Sequence, residues 1–332
     1  MKFKHRRLVF QYNPGIRLIS WMKRIRFSNN ENVSLYRIVK IFFQNLNEDE
    51  ILDRANGVAF NFILAIFPTI IVVFTLVPYI TTFFPELNTE TIMEFIGDAI
   101  PKSMYEAMRT IIEEILERKQ GGLLSFGLIF ALYLSTNGMM ALMRAFNACY
   151  RTIDSRGALK TRLIATALTL TMAVALFLAV VLLIVGQLTL EYILEHLPEY
   201  SWLDIDSFTI YLLFASRFLA IFLAFFLSIS CIYYFGPAIH YNWRFFSMGS
   251  ITATLLCLAV MYGFSFYITN FGTYNKVYGS IGALIALMIL IQLITIVLLI
   301  GYEVNISIHD AIRKQALWNS RMHRLRRTAP NA

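Results

Sequence analysis

Charge is what this sequence has least of: Asp, Glu, Lys and Arg make up 15% of its 332 residues, where a soluble domain carries about a quarter. A soluble chain of this length buries a large core but interleaves its apolar residues with charge. Here the apolar 58% is gathered into long runs, which points to a chain solvated by lipid. Cysteine is scarce too. Cys149, Cys231 and Cys257 form an odd set without CxxC spacing, at or inside apolar segments, so neither a disulfide framework nor a zinc site is implied. The histidines His5, His196, His240, His309 and His323 are scattered, without an HxH or HExxH pattern, and no metal or other cofactor is expected. Phosphate loops of the GxxxxGK[ST] type and GxSxG elbows are missing as well, which leaves no nucleophile-base pair to mark an enzyme. The first apolar patch, Leu8 to Phe10, is far too short for a signal-peptide core.

What is present is a series of segments long enough to cross a bilayer, which takes about 20 mainly apolar residues. Six qualify: 58–82, 122–148, 163–190, 208–236, 246–271 and 277–308. Pro68 and Pro78 in the first predict a kink or loosened turn, because proline removes a backbone donor. The connections between spans alternate in charge. The region up to Arg54 is basic, as are the connection holding Arg144, Arg151, Arg156, Lys160 and Arg162, the turn with Arg244, and the tail with Arg313, Lys314, Arg321, Arg324, Arg326 and Arg327. Acids dominate 83–121 and 191–207, and 272–276 has only Lys276. That alternation is what the positive-inside rule requires of six spans with both termini cytoplasmic.

The expected fold class is all-α, a polytopic membrane protein of six transmembrane helices with amphipathic helices at both faces. The domain reading is a basic cytoplasmic region 1–54, a six-helix domain 55–312 and a basic cytoplasmic tail 313–332. Within 34–46, Leu35, Ile38, Val39, Phe42 and Phe43 recur at helical spacing, as in a helix lying in the headgroup plane. Residues 83–121 repeat the pattern twice, around Ile92, Phe95 and Ile96 before Pro101 and around Met104, Met108, Ile111, Ile112 and Ile115 after it. These read as two short helices capping the outer mouth, or equally as a solvated lid. The first thirty residues carry eight bases and no acid. Flanking charge of this kind attracts anionic membrane lipids without any nucleic acid, so lipids are the expected partners; a homo-oligomer is left open.

Charge inside a span is costly and marks a functional candidate. Arg217 stands about nine residues into the fourth span, ~13 Å below its outer boundary at ~1.5 Å per residue. It either snorkels to the headgroups or lines a polar cavity facing an anionic group such as phosphate. Ser135, Asn137 and Gln292 lie near the midplane, where interhelical hydrogen bonding is the competing explanation. Together with Arg217 they form the candidate polar cavity. Glu303 lies near the cytoplasmic end of the last span, at a level compatible with Arg144 or Arg54; an ion pair Glu303–Arg144 clamping the inner bundle is the expectation, with proton coupling as the alternative.

Several stretches resemble the YihY/BrkB family of bacterial inner-membrane proteins: ANGVAFNFILAIFP at Ala55–Pro68, STNGMMALMRAFNACY at Ser135–Tyr150, the fourth span running into Tyr234, Gly236 and Pro237, and VYGSIGALIALMILIQLITIVLLIGYEVN at Val277–Asn305. The last, YGSxGA followed by an apolar run and GxExN, is the most specific. The resemblance covers about residues 40–312 and implies a multi-pass protein of the bacterial inner membrane. Members of that family have been labelled virulence or serum-resistance factors and, historically, ribonuclease BN. The expected function is transport or translocation of an envelope lipid or other amphiphilic anion. The alternatives are a non-transporting scaffold for envelope assembly and, disfavoured, an intramembrane hydrolase or ribonuclease.

Overall fold

The computed structural model describes residues 14–27, 33–48, 50–83, 93, 121–196, 207–238, 244–270 and 281–328. The expected outer cap at 83–121 falls almost wholly outside them. Eight helices and one short ribbon are seen among the described residues: α1 Pro14–Arg24, β1 Arg26–Phe27, β2 Val33–Ser34, α2 Leu35–Glu48, α3 Ile51–Phe83, α4 Gly121–Cys149, α5 Ala158–His196, α6 Ser207–Phe235, α7 Met248–Asn270 and α8 Ile281–Thr328. The helices α3 to α8 each contain a stretch long and apolar enough to cross a membrane. The chain is therefore an all-α polytopic membrane protein, and each span matches one expected from hydropathy.

The differences lie at the ends. Helix α3 begins at Ile51, seven residues before the apolar run, with Asp53 in its first turn, where a carboxylate complements the helix dipole. It continues as one helix through Pro68 and Pro78. Helix α8 runs on to Thr328, because the polar segment after the last span contains neither Gly nor Pro to stop it. Helix α7 starts on a reciprocal cap. The Ser250 amide donates to Ser247 Oγ at 3.1 Å, and the Ser247 amide donates back to Ser250 Oγ at 3.1 Å, a serine version of the capping box.

The chain divides into two compact units, Met1–Ile51 with Ile300–Ala332, and Leu52–Leu299. In the first, β1 and β2 pair antiparallel, Arg26 with Ser34 and Phe27 with Val33, and so fold α1 back toward α2. Helix α2 splits its apolar residues between two faces. Ile38 and Ile41 join Val33 and Ala311 in a small core flanked by Ile308 and Ile312, whereas Phe43 is exposed. The basic helix α1 was not foreseen from hydropathy, being short and rich in cations.

In the second unit α4 packs on α5, α5 on α6 and α6 on α7. Helix α3 meets α4 at two glycines. A Cβ on Gly138 would lie 2.6 Å from the Phe62 ring, and one on Gly127 would lie 3.3 Å from Val72. Small residues let membrane helices approach closely, which is how dispersion holds them together where lipid offers no hydrophobic drive. Met139, Leu142, Met143 and Phe146 of α4, Ile232 and Tyr233 of α6, and Leu299 of α8 are all buried. Phe146 and Tyr233 meet edge to face at 5.5 Å, and the Tyr233 hydroxyl donates to the Leu298 carbonyl at 2.6 Å, which satisfies a phenol that would otherwise be stranded in the core.

Candidate functional site

Among the described residues of the second unit, a dense polar group forms at the linker between α4 and α5. Helix α4 ends in a Schellman turn: the Thr152 amide donates to the Asn147 carbonyl at 2.9 Å and the Arg151 amide to that of Ala148 at 3.0 Å. Arg151 takes the left-handed conformation, φ 52°, where glycine is usual. The linker then turns back on Asp154, whose carboxylate accepts from Arg156 Nε at 2.9 Å, Arg156 Nη2 at 2.8 Å and the Arg156 amide at 3.0 Å. Arg156 also donates to the carbonyls of Gly236 at 2.9 Å and Phe235 at 3.4 Å. A guanidinium on the last carbonyls of α6 meets both the unfilled acceptors and the negative end of the dipole. Asn147, buried in α4, completes the knot. Its Nδ2 donates to Asp154 at 3.2 Å and its Oδ1 accepts from the Ala238 amide at 2.8 Å.

Glycine is required at 236 by crowding, since a Cβ there would lie 2.5 Å from the Ile232 carbonyl, and Pro237 stops the helix. The hydrogen bond from Arg156 holds the Asp154 carboxyl below its ordinary 3.8, against the opposing effect of burial. One linker thereby ties the ends of α4, α5 and α6. Beside it, Arg54 of α3 donates to Cys149 Sγ at 3.2 Å.

A second constellation lies deeper. Arg162, one turn into α5, donates through Nη1 to Asn137 Oδ1 at 2.6 Å and to Met140 Sδ at 3.2 Å, and its Cζ lies 4.4 Å from the centre of the Tyr133 ring. Residues 133, 137 and 140 follow one face of α4 at helical spacing. The 29 residues of α4 make it about 43 Å long, about 13 Å more than the hydrocarbon layer. Asn137 is about 18 Å from the Cys149 end and about 24 Å from the Gly121 end. Even if the whole overhang were at one end, Asn137 would remain about 5 Å or more inside the hydrocarbon. All the partners of Arg162 among the described residues are neutral, and Tyr133 is 53% exposed. A guanidinium at this depth, met by no carboxylate among the described residues, is a costly feature and marks a functional candidate.

The sequence-derived candidates distribute as follows. Asn137 is the acceptor of Arg162. Gln292 of α8 donates to Asn56 of α3 at 2.8 Å in an exposed pair. Ser135 is half-buried on α4, and Arg217 belongs to α6, its side chain lying outside the described residues. Glu303 is buried in the first unit, accepting from Asn45 Nδ2 at 2.7 Å and from Ser307 Oγ at 3.4 Å. Arg144, its expected partner, is exposed on α4 in the other unit. Sequence reading counted Arg156 and Arg162 only as charges that orient the spans. The D-x-R-G spacing of Asp154 to Gly157 was the available signal for the linker knot. Nothing local signals the reach of Arg162, which depends on the register of α5 against α4. Between α7 and α8 an apolar cleft of about 420 Å³, lined by Val260, Phe264, Tyr267, Ala286 and Ile289, is of a size that an acyl chain segment fills. Among the described residues no three His, Cys, Asp or Glu side chains converge as a metal-binding group.

The family model described as virulence factor BrkB matches residues 42–324. The chain belongs to the virulence factor BrkB family. Its match therefore takes in all six spans and the second half of α2, leaving out α1. Among curated relatives of this BrkB-family chain, the ribonuclease-like protein YfkH of Bacillus subtilis is 30% identical over 276 residues, 82% of this chain and 94% of that one. UPF0761 membrane proteins from Kangiella koreensis and Xanthomonas axonopodis are 24% and 26% identical, over 83% and 90% of this chain and 64% and 66% of theirs. No solved structure matches.

Proposed function

We propose that this BrkB-family protein translocates an amphiphilic anion, an envelope lipid with an acidic headgroup, and that it does so in the bacterial inner membrane with both termini cytoplasmic. The observation that carries this reading is Arg162, a cation at bilayer depth whose partners among the described residues are Asn137, Met140 and Tyr133, all neutral. An isolated charge in hydrocarbon is expensive. An arginine held there by an amide, a thioether and an aromatic face remains able to pair with an incoming phosphate or carboxylate, for which its planar fork is suited. Arg217 on α6 supplies a second cation along the same family of spans, and the alternating charge of the connections supports the orientation.

The test is reconstitution of the purified protein into liposomes carrying a fluorescent short-chain phosphatidylglycerol or phosphatidylcholine, with the outer leaflet bleached by dithionite. Wild type is expected to expose the inner-leaflet anionic probe to bleaching faster than the zwitterionic one, and Arg162→Ala to return the rate toward that of protein-free vesicles. No acceleration by wild type, or none lost in Arg162→Ala, would count against translocation.

A second reading, a non-transporting scaffold, is favoured by the linker knot, which rigidifies one end of the bundle. It is distinguished by stable protein partners on pulldown together with vesicles that wild type leaves sealed. A nuclease, the sense of the name given to YfkH, is the weakest reading, and degradation of RNA by the pure protein would revive it.

A further inference from the structure

Helix α2 has a used face and an unused one. Ile38 and Ile41 are committed to the core with Ala311. Val39, Lys40 and Phe43 instead form one wall of a cleft of about 430 Å³, and Ile19 and Met22 of α1 form the opposite wall. The lining is mostly apolar, with Lys40, Tyr36, Gln44 and Asn47 as its polar members. Phe43 is 59% exposed and Trp21, on α1, 57%, while Lys23 places its ammonium 5.1 Å from the centre of the Tyr36 ring. Across Pro14–Arg24 there are three cations and no acid. In sequence only residues 49 and 50 separate α2 from the membrane helix α3.

We propose that the α1–α2 cleft binds an anionic phospholipid at the membrane surface, with Lys23 and Lys40 on its phosphate and Val39, Phe43, Ile19 and Met22 against the upper part of its acyl chains. Three features favour a lipid over a protein partner. An exposed tryptophan beside a mostly apolar lining is the pattern of the headgroup boundary, where one end of the ring is dry and the other wet. The cations of α1 have no acid on their own helix and Lys40 adds another on α2, which suits anionic headgroups, each lysine adding about 1 kcal/mol of attraction at the surface; the acids Glu48, Asp49 and Glu50 come only at and after the C-terminal end of α2. The chain also already spans the bilayer from which such a lipid would come. A single, mostly apolar cleft with Lys40 in its lining binds more selectively than an amphipathic helix merely resting on the surface. This site is independent of any movement of lipid past Arg162.

The experiment uses the full-length protein with Trp202→Phe, Trp243→Phe and Trp318→Phe, leaving Trp21 as the reporter, reconstituted into phosphatidylcholine vesicles with phosphatidylglycerol. One lipid at a time carries brominated acyl chains. At equal mole fraction, brominated phosphatidylglycerol is expected to quench Trp21 more strongly than brominated phosphatidylcholine. Lys23→Glu with Lys40→Glu should lower that preference by about fivefold or more, one lysine's attraction being worth about fivefold. Raising the salt should lower it in the chain with both lysines intact, which keeps the test sound if the double variant fails to fold. Equal quenching by the two lipids, no quenching at all, or a preference indifferent to salt overturns the proposal. So does Trp21 emission that follows the protein-to-lipid ratio instead of the lipid type, the sign of a second copy occupying the cleft.

Discussion

Within a single membrane helix, residues of the same apolar kind meet opposite fates toward its two ends. On α4, Phe146 is fully buried and Phe126 is 68% exposed; on α7, Ala253 is fully buried and Tyr262 is 78% exposed; on α5, Ala165 and Leu168 are buried and Phe177 is 66% exposed. Each pair belongs to one continuous apolar helix. What separates the halves is polar: the buried one adjoins the Asn147–Asp154–Arg156 knot and holds the Tyr233–Leu298 bond, and Arg162 reaches toward the boundary between them. In lipid, apolar surface alone does not drive helices together, so close packing follows from small-residue contacts and from the few hydrogen bonds that fix register.

That contrast can be broken most forcefully at the linker. Arg156→Ala removes an ion pair with side chains only 11% and 23% exposed together with two carbonyl contacts on the end of α6. A loss of about 3 kcal/mol is expected, from the removal of one partner of a hydrogen-bonded charge pair, seen as a lower thermal midpoint of the detergent-solubilised protein. Next comes Gly138→Ala, which pushes a methyl into the Phe62 ring and should cost about 1–3 kcal/mol by overpacking. Adding Phe62→Leu should recover part of the loss, and a simple sum of the two single effects would mean that the contact does not exist.

A smaller effect follows from Asp154. Its folded-state pKa is depressed, so its contribution is present above 3.8 and is lost as pH falls through the lower folded value. Wild type should therefore be more stable than Asp154→Asn at neutral pH, and the gap should narrow in acid below 3.8; a gap that is constant with pH would show that the charge is irrelevant. The smallest change is expected from Gln292→Ala, because the exposed pair with Asn56 is worth about 0.6 kcal/mol if it resembles other polar contacts between membrane helices.

Much of the fold was legible because span length and loop charge are local quantities. The six runs from 58 to 308 correspond to α3 through α8, and the helix expected at 34–46 is α2. Periodicity did not show that Ile38 and Val39 would part company, one into a core with Ala311 and the other into a cleft with α1, since that depends on which neighbours arrive. The site was less legible still. Asn137 stands out in the sequence by its polarity at depth, as a member of a candidate polar cavity with interhelical hydrogen bonding as the competing explanation; in the structure it accepts from Arg162. Its partner Arg162 was read as a topological charge, because an arginine near a helix start normally leans back toward that start. Only the packing of α5 on α4 reveals that it reaches inward.

The central claim is that the positive charge at position 162, and not the bulk of the side chain, handles the anion. Charge replacement tests this most directly. In a background with Cys149→Ala, Cys231→Ser and Cys257→Ala, Arg162→Cys is assayed in the liposome exchange experiment before and after reaction with methanethiosulfonates that add a cationic aminoethyl or a neutral methyl group. Loss of anionic-lipid exchange in Arg162→Cys, restored by the aminoethyl group and not by methyl, is the expected result. Full activity of unreacted Arg162→Cys, or equal restoration by both groups, would contradict it.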